Sequence, residues 1–338
     1  MTTAVHAVRR IGSHRAARGW WVRFAVAGVT LAVLVWRVGT GPFLDGLRAV
    51  DAAALAAGSG LTVLIIACMA WRWRTVARGL GVELPMGPAV AAYYRSVFLN
   101  VTLPGGVLGD VHRGISHGRD TDDVGRGLRA VAWERSAGQA VQMVLTVTVL
   151  LLVTSPVHGA MPAVALGLVV AAAAVVLAAR MRPQGRSWWA RVRRVAARDL
   201  RGAVLARRAW PVIALASALV VAGHVITFLI AARTAGVPAS ASKLLPLALL
   251  VLAAAALPNV AGWGPREGVT AWAFAAAGLG AANGVTTAVV YGVMAFVASL
   301  PGVVVLVVAW VRRTRSDPRP GRPARGGAGV LGEGARDA

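Results

Sequence analysis

Long runs of apolar residues alternate along the chain with short stretches that are rich in arginine. A run of about 20 apolar residues forms a helix long enough to cross a hydrocarbon core of about 30 Å. The pattern predicts an all-α, polytopic integral membrane protein with about seven membrane-spanning helices and two broken or re-entrant segments. The clearest runs cover residues 20–37, 52–71, 128–154, 160–180, 211–232 and 285–310.

Two shorter apolar regions are broken by glycine, proline and charged residues. The first broken segment runs from Asn100 to Arg113, and the second runs from Pro258 to Gly268. In lipid, an irregular backbone is tolerated only where protein or a water-filled cavity surrounds it. Apolar helices that are broken in corresponding places of two halves are typical of a transporter's binding site. We therefore expect the two segments to line a site inside a helical bundle.

Composition supports a membrane protein and argues against binding to nucleic acid. Of the 338 residues, 14% are charged, against about 25% in soluble proteins. The formal net charge is +23, but the arginines cluster in tails and loops between apolar runs, as the positive-inside rule predicts. We expect a basic cytoplasmic tail over residues 1–19, a transmembrane domain over 20–312 and a disordered tail over 313–338.

The arginines also predict the topology. Arg72, Arg74 and Arg78 directly follow the second span, and the loop over residues 180–208 is strongly basic, so both are expected in the cytoplasm. Both termini of this multi-pass protein of the cytoplasmic membrane are then cytoplasmic as well. The first broken segment enters from the cytoplasm and the second from outside, as in an inverted repeat. The competing explanation is chance recurrence of glycine and proline in a glycine-rich chain.

Charged residues in the broken segments are the first candidates for a binding site. Asp110 and Arg113 share a face if a helix starts at Gly109, and Arg266 and Glu267 follow a Gly-Trp-Gly-Pro turn. The N–H groups at a helix start attract anions, and arginine offers a planar fork that suits phosphate. We expect these residues to bind a lipid headgroup. The alternative is that Asp110 and Arg113, and likewise Arg266 and Glu267, only neutralise one another or form ion pairs between the two repeats. The asparagines of the two segments, Asn100 and Asn259, complete the candidate set.

Polar residues within the spans extend this set. Glu134 and Arg135 lie in the third span. Glu134 either pairs with an arginine of a broken segment or reaches the cytoplasmic interface. His224, in the fifth span, is either a hydrogen-bonded histidine of the bundle or a proton relay. In the basic loop, Trp188 and Trp189 predict either an amphipathic stretch on the membrane surface or a merely solvated segment.

Motifs of soluble enzymes are missing from the sequence. It contains no phosphate-binding P-loop, dinucleotide fingerprint, Gly-x-Ser-x-Gly or paired Cys-x-x-Cys. His112 and His117 are too isolated for a metal site, and Cys68 is the single cysteine. We therefore expect no enzymatic activity, no cofactor and no metal.

The broken segments resemble those of the flippase-like transmembrane family, which includes the membrane region of lysylphosphatidylglycerol synthase. The resemblance rests on Leu-Pro-Gly-Gly-x-x-Gly-Asp-x-x-Arg ending at Arg113, on Trp133-Glu134-Arg135, and on Gly-x-Arg-Glu-Gly ending at Gly268. It covers roughly residues 20–312, with Trp263 where a smaller residue is usual. The resemblance implies an inner-membrane protein that moves or presents lipids, here without the soluble transferase domain of the synthases.

Three functions stay open at this point. The first is a carrier that translocates or presents a phospholipid, an aminoacylated lipid or a polyprenyl-linked lipid. The second is a non-transporting membrane partner of a glycosyl- or lipid-modifying enzyme, with the basic loop as its docking surface. The third is a transferase acting on lipid-linked sugars, for which Asp110, Glu134 and Glu267 would serve as base or metal ligands, although their spacing matches no known motif.

Overall fold

The computed structural model describes residues 29, 32–33, 35–103, 106–153, 155–180, 188–255 and 264–316. Within them it contains twelve α-helices and no β-strand, which confirms the all-α prediction. The helices are α1 (Gly41–Ala49), α2 (Ala52–Gly79), α3 (Met86–Thr102), α4 (Leu108–Asp120), α5 (Val124–Leu152), α6 (Met161–Arg180), α7 (Trp188–Asp199), α8 (Trp210–Thr234), α9 (Ala241–Ala255), α10 (Pro265–Ala276), α11 (Ala281–Ser299) and α12 (Pro301–Ser316). A short 3-10 helix (His158–Ala160) precedes α6, and a π-helical turn (Leu200–Val204) follows α7.

Five stretches of the described chain are long and apolar enough to cross a membrane. They coincide with the predicted spans from the second to the last. Most of the first predicted span, the 1–19 tail and most of the 313–338 tail lie outside the described residues, and the described residues of that span, 29, 32–33 and 35–37, are helical. The five stretches are Ala52–Gly79, Val124–Leu152, His158–Leu177, Trp210–Thr234 and Ala281–Arg312.

The last apolar run is divided into two helices where the sequence predicts one span. α11 ends at Ser299 and α12 begins at Pro301. Proline has no N–H to donate within a helix, but it is well tolerated at a helix's first position. Gly302 then lets α12 approach α3, because a Cβ at this position would overlap the backbone carbonyl of Tyr94.

Helices of the two halves of the chain contact one another in a matching pattern. In the first half α3 packs on α4 and α4 on α5, while in the second half α9 packs on α10 and α10 on α11. Between the halves α2 packs against α8, α5 against α8, and α11 against α2. When α2, α3, α4 and α5 are matched in order with α8, α9, α10 and α11, each of these contacts has a counterpart in the other half. This supports an internal repeat that consists of a spanning helix, a broken pair and a second spanning helix.

Each half has its own buried aromatic centre. Trp73 of α2 and Tyr93 of α3 meet edge to face with ring centroids 6.0 Å apart. In the other half, Phe228 of α8 meets Phe274 of α10 at 6.2 Å and Tyr291 of α11 at the same centroid distance. Aromatic rings bury large areas and fix geometry, so these clusters hold the broken pairs against the spanning helices.

α7 and the π-helical turn are attached to the spanning helices by two contacts. Asp199 at the end of α7 forms an ion pair of 2.9 Å with Arg129 of α5. Gly79 at the end of α2 faces Ala203 so closely that a Cβ on the glycine would overlap the Ala203 backbone. The predicted basic loop is thus largely helical where it is described.

Candidate ligand-binding site

The first broken segment is closed by a single asparagine. α3 ends at Thr102 and α4 begins at Leu108. The side-chain oxygen of Asn100 accepts a hydrogen bond of 2.8 Å from the Gly109 N–H, and its amide nitrogen donates to Asp110 at 3.1 Å. Ser96 donates to the other Asp110 oxygen at 3.0 Å. Asn100 thereby satisfies a free donor at the start of α4, as a capping residue would.

Asp110 and Arg113 share a face of α4, as their spacing predicts, and join a larger ion network. Arg113 lies 3.1 Å from Asp110 and 3.0 Å from Glu134. Glu134 also pairs with Arg72 at 2.5 Å, and Asp110 pairs with Arg135 at 2.7 Å. We call these five residues the ion network. Glu134 thus pairs with an arginine of the first broken segment, one of the two outcomes expected for it.

The Arg113 guanidinium is fully buried between aromatic rings. Its central carbon lies 3.8 Å from the centroid of the Tyr93 ring and 4.4 Å from that of Trp73. A cation over an aromatic face is attracted to the negative potential of the ring, most strongly when it is desolvated. The rings and the two carboxylates compensate part of the loss of water around Arg113, whose Nε and Nη1 have no hydrogen-bond partner within the described residues.

Arg72 reaches the network from α2 and lies against a glycine of α5. Its guanidinium donates to Ser217 of α8 at 2.9 Å as well as to Glu134. A Cβ at Gly138 would overlap this guanidinium, so glycine leaves the space that Arg72 occupies. The distribution of arginines predicts Arg72 as a cytoplasmic flanking charge, whereas its side chain is buried inside the bundle.

The ion network carries one unbalanced positive charge, since it contains three arginines and two carboxylates. Asp110 lies on α4, outside the five membrane-spanning stretches. Burial by itself raises the pKa of its carboxyl, but Arg135 and Arg113 outweigh this effect and hold the pKa below its ordinary value. Asp110 is therefore an anion, and the network's net charge is positive.

The second broken segment places a different ion pair at the start of α10. Pro265 occupies the first helical position, as predicted, and Gly264 before it has a φ of 123°, which favours glycine. Glu267 is fully buried, accepts a hydrogen bond of 2.6 Å from the Gly264 N–H and pairs with Arg266 at 2.5 Å. Asn259 and Trp263 lie outside the described residues.

A polar cavity opens beside the ion network. Its volume is about 210 Å³. Two arginines of the network, Arg72 and Arg135, line it together with Gln139, Gln142 and Ser217. The Arg135 side chain is 37% exposed although it pairs with Asp110. Arg135 therefore presents part of its side chain to the cavity.

An apolar cavity of about 220 Å³ adjoins the polar one. Ile65, Ile66, Met69 and Val97 contribute to its lining, and Arg266 lies on its wall. The two cavities share His224 and Tyr291, whose Nδ1 and hydroxyl oxygen are 3.0 Å apart. His224 is thus a hydrogen-bonded histidine, and the Arg266 guanidinium lies 5.3 Å from the centroid of the Tyr291 ring. Each cavity is smaller than typical ligand pockets of roughly 300–1,000 Å³, but the two form neighbouring compartments.

The comparison with protein families agrees with this architecture. The family model for the lysylphosphatidylglycerol synthase TM region matches residues 20–302. The chain belongs to this family. It is accordingly a multi-pass membrane protein, and the family suggests a role in lipid metabolism or translocation. A search of curated proteins found no significant match.

In this family member the predicted site residues separate into a buried group and a cavity-lining group. Arg135 and Arg266 line the two cavities. Asp110, Arg113 and Glu134 are buried behind Arg135, and Glu267 is buried behind Arg266. Contact of the buried residues with a ligand stays a prediction, as does any role of Asn259. No group of three or more His, Cys, Asp or Glu residues within the described chain could hold a metal ion.

The predicted site lacks several residues that line the cavities, among them Arg72, Ser217 and Tyr291. Arg72 lies seven positions after Ile65, whose side chain is buried. Seven residues make about two helical turns, so this spacing places Arg72 on the buried face and provides the missing signal. Tyr291 has a weaker signal, because a single tyrosine in an apolar helix is usually hydrogen-bonded when it is buried.

Proposed function

We propose that this protein binds a lipid headgroup in the polar cavity and translocates or presents that lipid across the cytoplasmic membrane. The observation that carries the proposal is Arg135, a half-buried arginine that lines a cavity beside an ion network of net positive charge. Guanidinium groups bind phosphate by paired, charge-assisted hydrogen bonds. An ionisable residue at membrane depth usually faces a bundle interior and marks a pathway.

The adjoining cavity suits the hydrocarbon end of the same molecule. Its lining is mostly aliphatic, with Ile65, Met69 and Val97 among the contributors. A lipid therefore meets arginine at its headgroup and aliphatic side chains beyond it. Membership of a family named for a lipid synthase supports a lipid ligand. The proposal requires no bond to be made or broken, and we propose binding and movement without enzymatic activity.

The test is lipid exchange in liposomes that contain only the purified protein. We expect wild-type protein to accelerate the quenching of fluorescent phospholipids that start in the inner leaflet. The Arg135→Gln variant should lose about ten- to hundredfold in rate, which corresponds to one charge-assisted hydrogen bond. Arg129→Gln is the matched control, because Arg129 also lies on α5 but pairs with Asp199 of α7.

The outcomes separate clearly. Loss of exchange in Arg135→Gln, with normal exchange in Arg129→Gln, would support the headgroup site. Equal loss in both variants would instead indicate damage to α5. Normal exchange in Arg135→Gln would contradict the site, and no exchange by wild type would contradict the carrier function.

α7 provides an observation in favour of the second function, a partner of a membrane enzyme. Trp188 and Trp189 are exposed by 62% and 68%. Their ring centroids are 4.3 Å apart, so they form one apolar patch on an arginine-rich helix. A Trp188→Ser, Trp189→Ser variant should keep lipid exchange in liposomes. If α7 docks an enzyme, the variant should lose the corresponding cross-link in native membranes, and a carrier that acts alone shows no such cross-link.

A further inference from the structure

We infer that the polar cavity selects lipids with a negatively charged headgroup and discriminates against aminoacylated lipids. The inference rests on the proposed function and names the headgroup class that the same site would take. The charge that a ligand meets in the cavity depends on which charged side chains line the wall and which are already paired within the protein.

Among the described residues that line the two cavities, three are arginines and none is acidic. Arg72 and Arg135 lie in the polar cavity, and Arg266 lies in the apolar one. The remaining polar groups of the polar cavity are amides, hydroxyls and the His224 imidazole. A phosphate finds donors on this wall, whereas the ammonium of an aminoacyl group finds no carboxylate.

The nearby carboxylates are already occupied by protein donors. Asp110 accepts hydrogen bonds from Ser96 and Asn100 and pairs with two arginines. Glu134 pairs with Arg72 and Arg113. Glu267 accepts from the Gly264 N–H and pairs with Arg266. An ammonium would have to compete for these oxygens with the arginines that already pair with them, and a displaced arginine would lose its counter-charge.

The undescribed parts of the broken segments do not change this balance. Residues 104–105 are Pro-Gly, and residues 256–263 are Ala-Leu-Pro-Asn-Val-Ala-Gly-Trp, so neither stretch contains Asp or Glu. Residues 1–28 and 181–187 also contain no acidic residue. No acidic side chain from these stretches can complete an ammonium site at the cavity.

Electrostatics then favours one class of lipid over the other. The wall of the polar cavity belongs to a network with one excess positive charge, and charges in a partly buried site interact more strongly than charges in water. A monoanionic headgroup neutralises this excess, whereas a cationic aminoacyl headgroup increases it. Selectivity arises as much from this repulsion of the wrong ligand as from attraction of the right one.

The experiment compares two lipids in the same liposome assay. The probes are phosphatidylglycerol and lysyl-phosphatidylglycerol, each labelled on an acyl chain, with purified full-length protein. We expect wild type to move phosphatidylglycerol at least about tenfold faster than the lysyl form, a ratio that corresponds to about 1.4 kcal/mol. Equal rates, or a preference for the lysyl form, would overturn the inference while the carrier function stands.

A binding measurement covers the case in which neither lipid moves. The thermal stability of the protein in detergent is measured with each lipid added. Stabilisation by phosphatidylglycerol alone would support the headgroup class while the carrier function fails. Equal stabilisation by both lipids, or by neither, would overturn the inference as well.

A single substitution tests the charge argument directly. Gln139 lines the polar cavity, and Gln139→Glu would supply the missing carboxylate there. We expect the preference for phosphatidylglycerol to fall by about tenfold, while Gln139→Met, the uncharged control of similar size, keeps the wild-type ratio. An unchanged ratio in Gln139→Glu would show that charge at this wall does not set selectivity.

Discussion

Glu134 bridges two arginines of the ion network. It is fully buried and pairs with Arg72 at 2.5 Å and Arg113 at 3.0 Å. Removing one partner of a buried pair leaves an uncompensated charge, which is far more costly than replacing the whole pair. The structure therefore explains why this carboxylate lies inside an otherwise apolar helix.

We predict that Glu134→Gln destabilises the protein by about 3–5 kcal/mol, because two buried guanidiniums lose their shared counter-charge. The measurement is unfolding in mixed micelles followed by circular dichroism. The control is Asp123→Asn, which weakens a half-exposed pair with Arg126 and should change stability by no more than about 1 kcal/mol. Similar stability for Glu134→Gln and wild type would contradict the network's structural role.

At the residue scale, the sequence predicts contacts within a helix better than contacts between helices. Asp110 and Arg113 are three residues apart, so their pairing follows from helical geometry. Arg72 is different, because an arginine near the end of an apolar run fits both a cytoplasmic flank and a buried ion pair. Only the three-dimensional packing of α2 against α5 and α8 shows that the second description applies.

The first broken pair, α3 and α4, depends on close backbone contact. Gly109 lies so near Ser96 that a Cβ at this position would overlap the Ser96 carbonyl. The same residue donates its N–H to Asn100. Glycine is therefore required here for contact between the two helices and not for an unusual backbone angle.

We predict that Gly109→Ala destabilises the protein by about 1–3 kcal/mol, the usual cost of overpacking. Gly87→Ala, in the same broken pair, is the control, because a Cβ at that position would meet no atom within 4 Å. Unfolding in mixed micelles measures both variants. Equal stability of the two would show that α3 and α4 separate easily at the break.

At the element scale, apolar runs predict the spanning helices well and predict their interruptions less well. The fourth predicted span, 160–180, agrees with α6 (Met161–Arg180) because a proline-containing turn and an arginine bound the run. The hydropathy of the last run does not fall at Pro301, so the sequence predicts one continuous span there. A proline at the first position of a new helix leaves hydropathy unchanged, so only backbone geometry reveals the division.

At the scale of the whole molecule, the matching contacts of α2–α5 and α8–α11 support an internal repeat. The sequence indicates this only through an asparagine, glycine and proline punctuation, and adjacent charges. Similarity between the halves lies mainly in packing, which tolerates wide changes of side chain when pattern and volume are kept. The similarity between the two halves is therefore visible in the contacts between helices, whereas the identities of single residues show little of it.

An inverted repeat predicts that corresponding turns lie on opposite sides of the membrane. Asp120 at the end of α4 and Ala277 just after α10 occupy corresponding places and are exposed. In a Cys68→Ala background, Ala277→Cys should react with an impermeant maleimide on intact cells. Asp120→Cys should react only after permeabilisation, because the arginine distribution predicts that the first broken segment enters from the cytoplasm. Labelling of both from the same side would contradict inversion and leave a parallel repeat.

If the protein is the carrier proposed above, the unbalanced positive charge of the ion network would make the site sensitive to voltage only when no lipid is bound. In the proposed carrier, an empty site would move its charge through the electric field of the membrane, where each elementary charge is worth about 2.3 kcal/mol per 100 mV. Filled with a monoanionic headgroup, the site is neutral, and the field exerts no net force on it. The membrane potential would then govern the return of the empty site and leave the movement of the lipid itself unaffected.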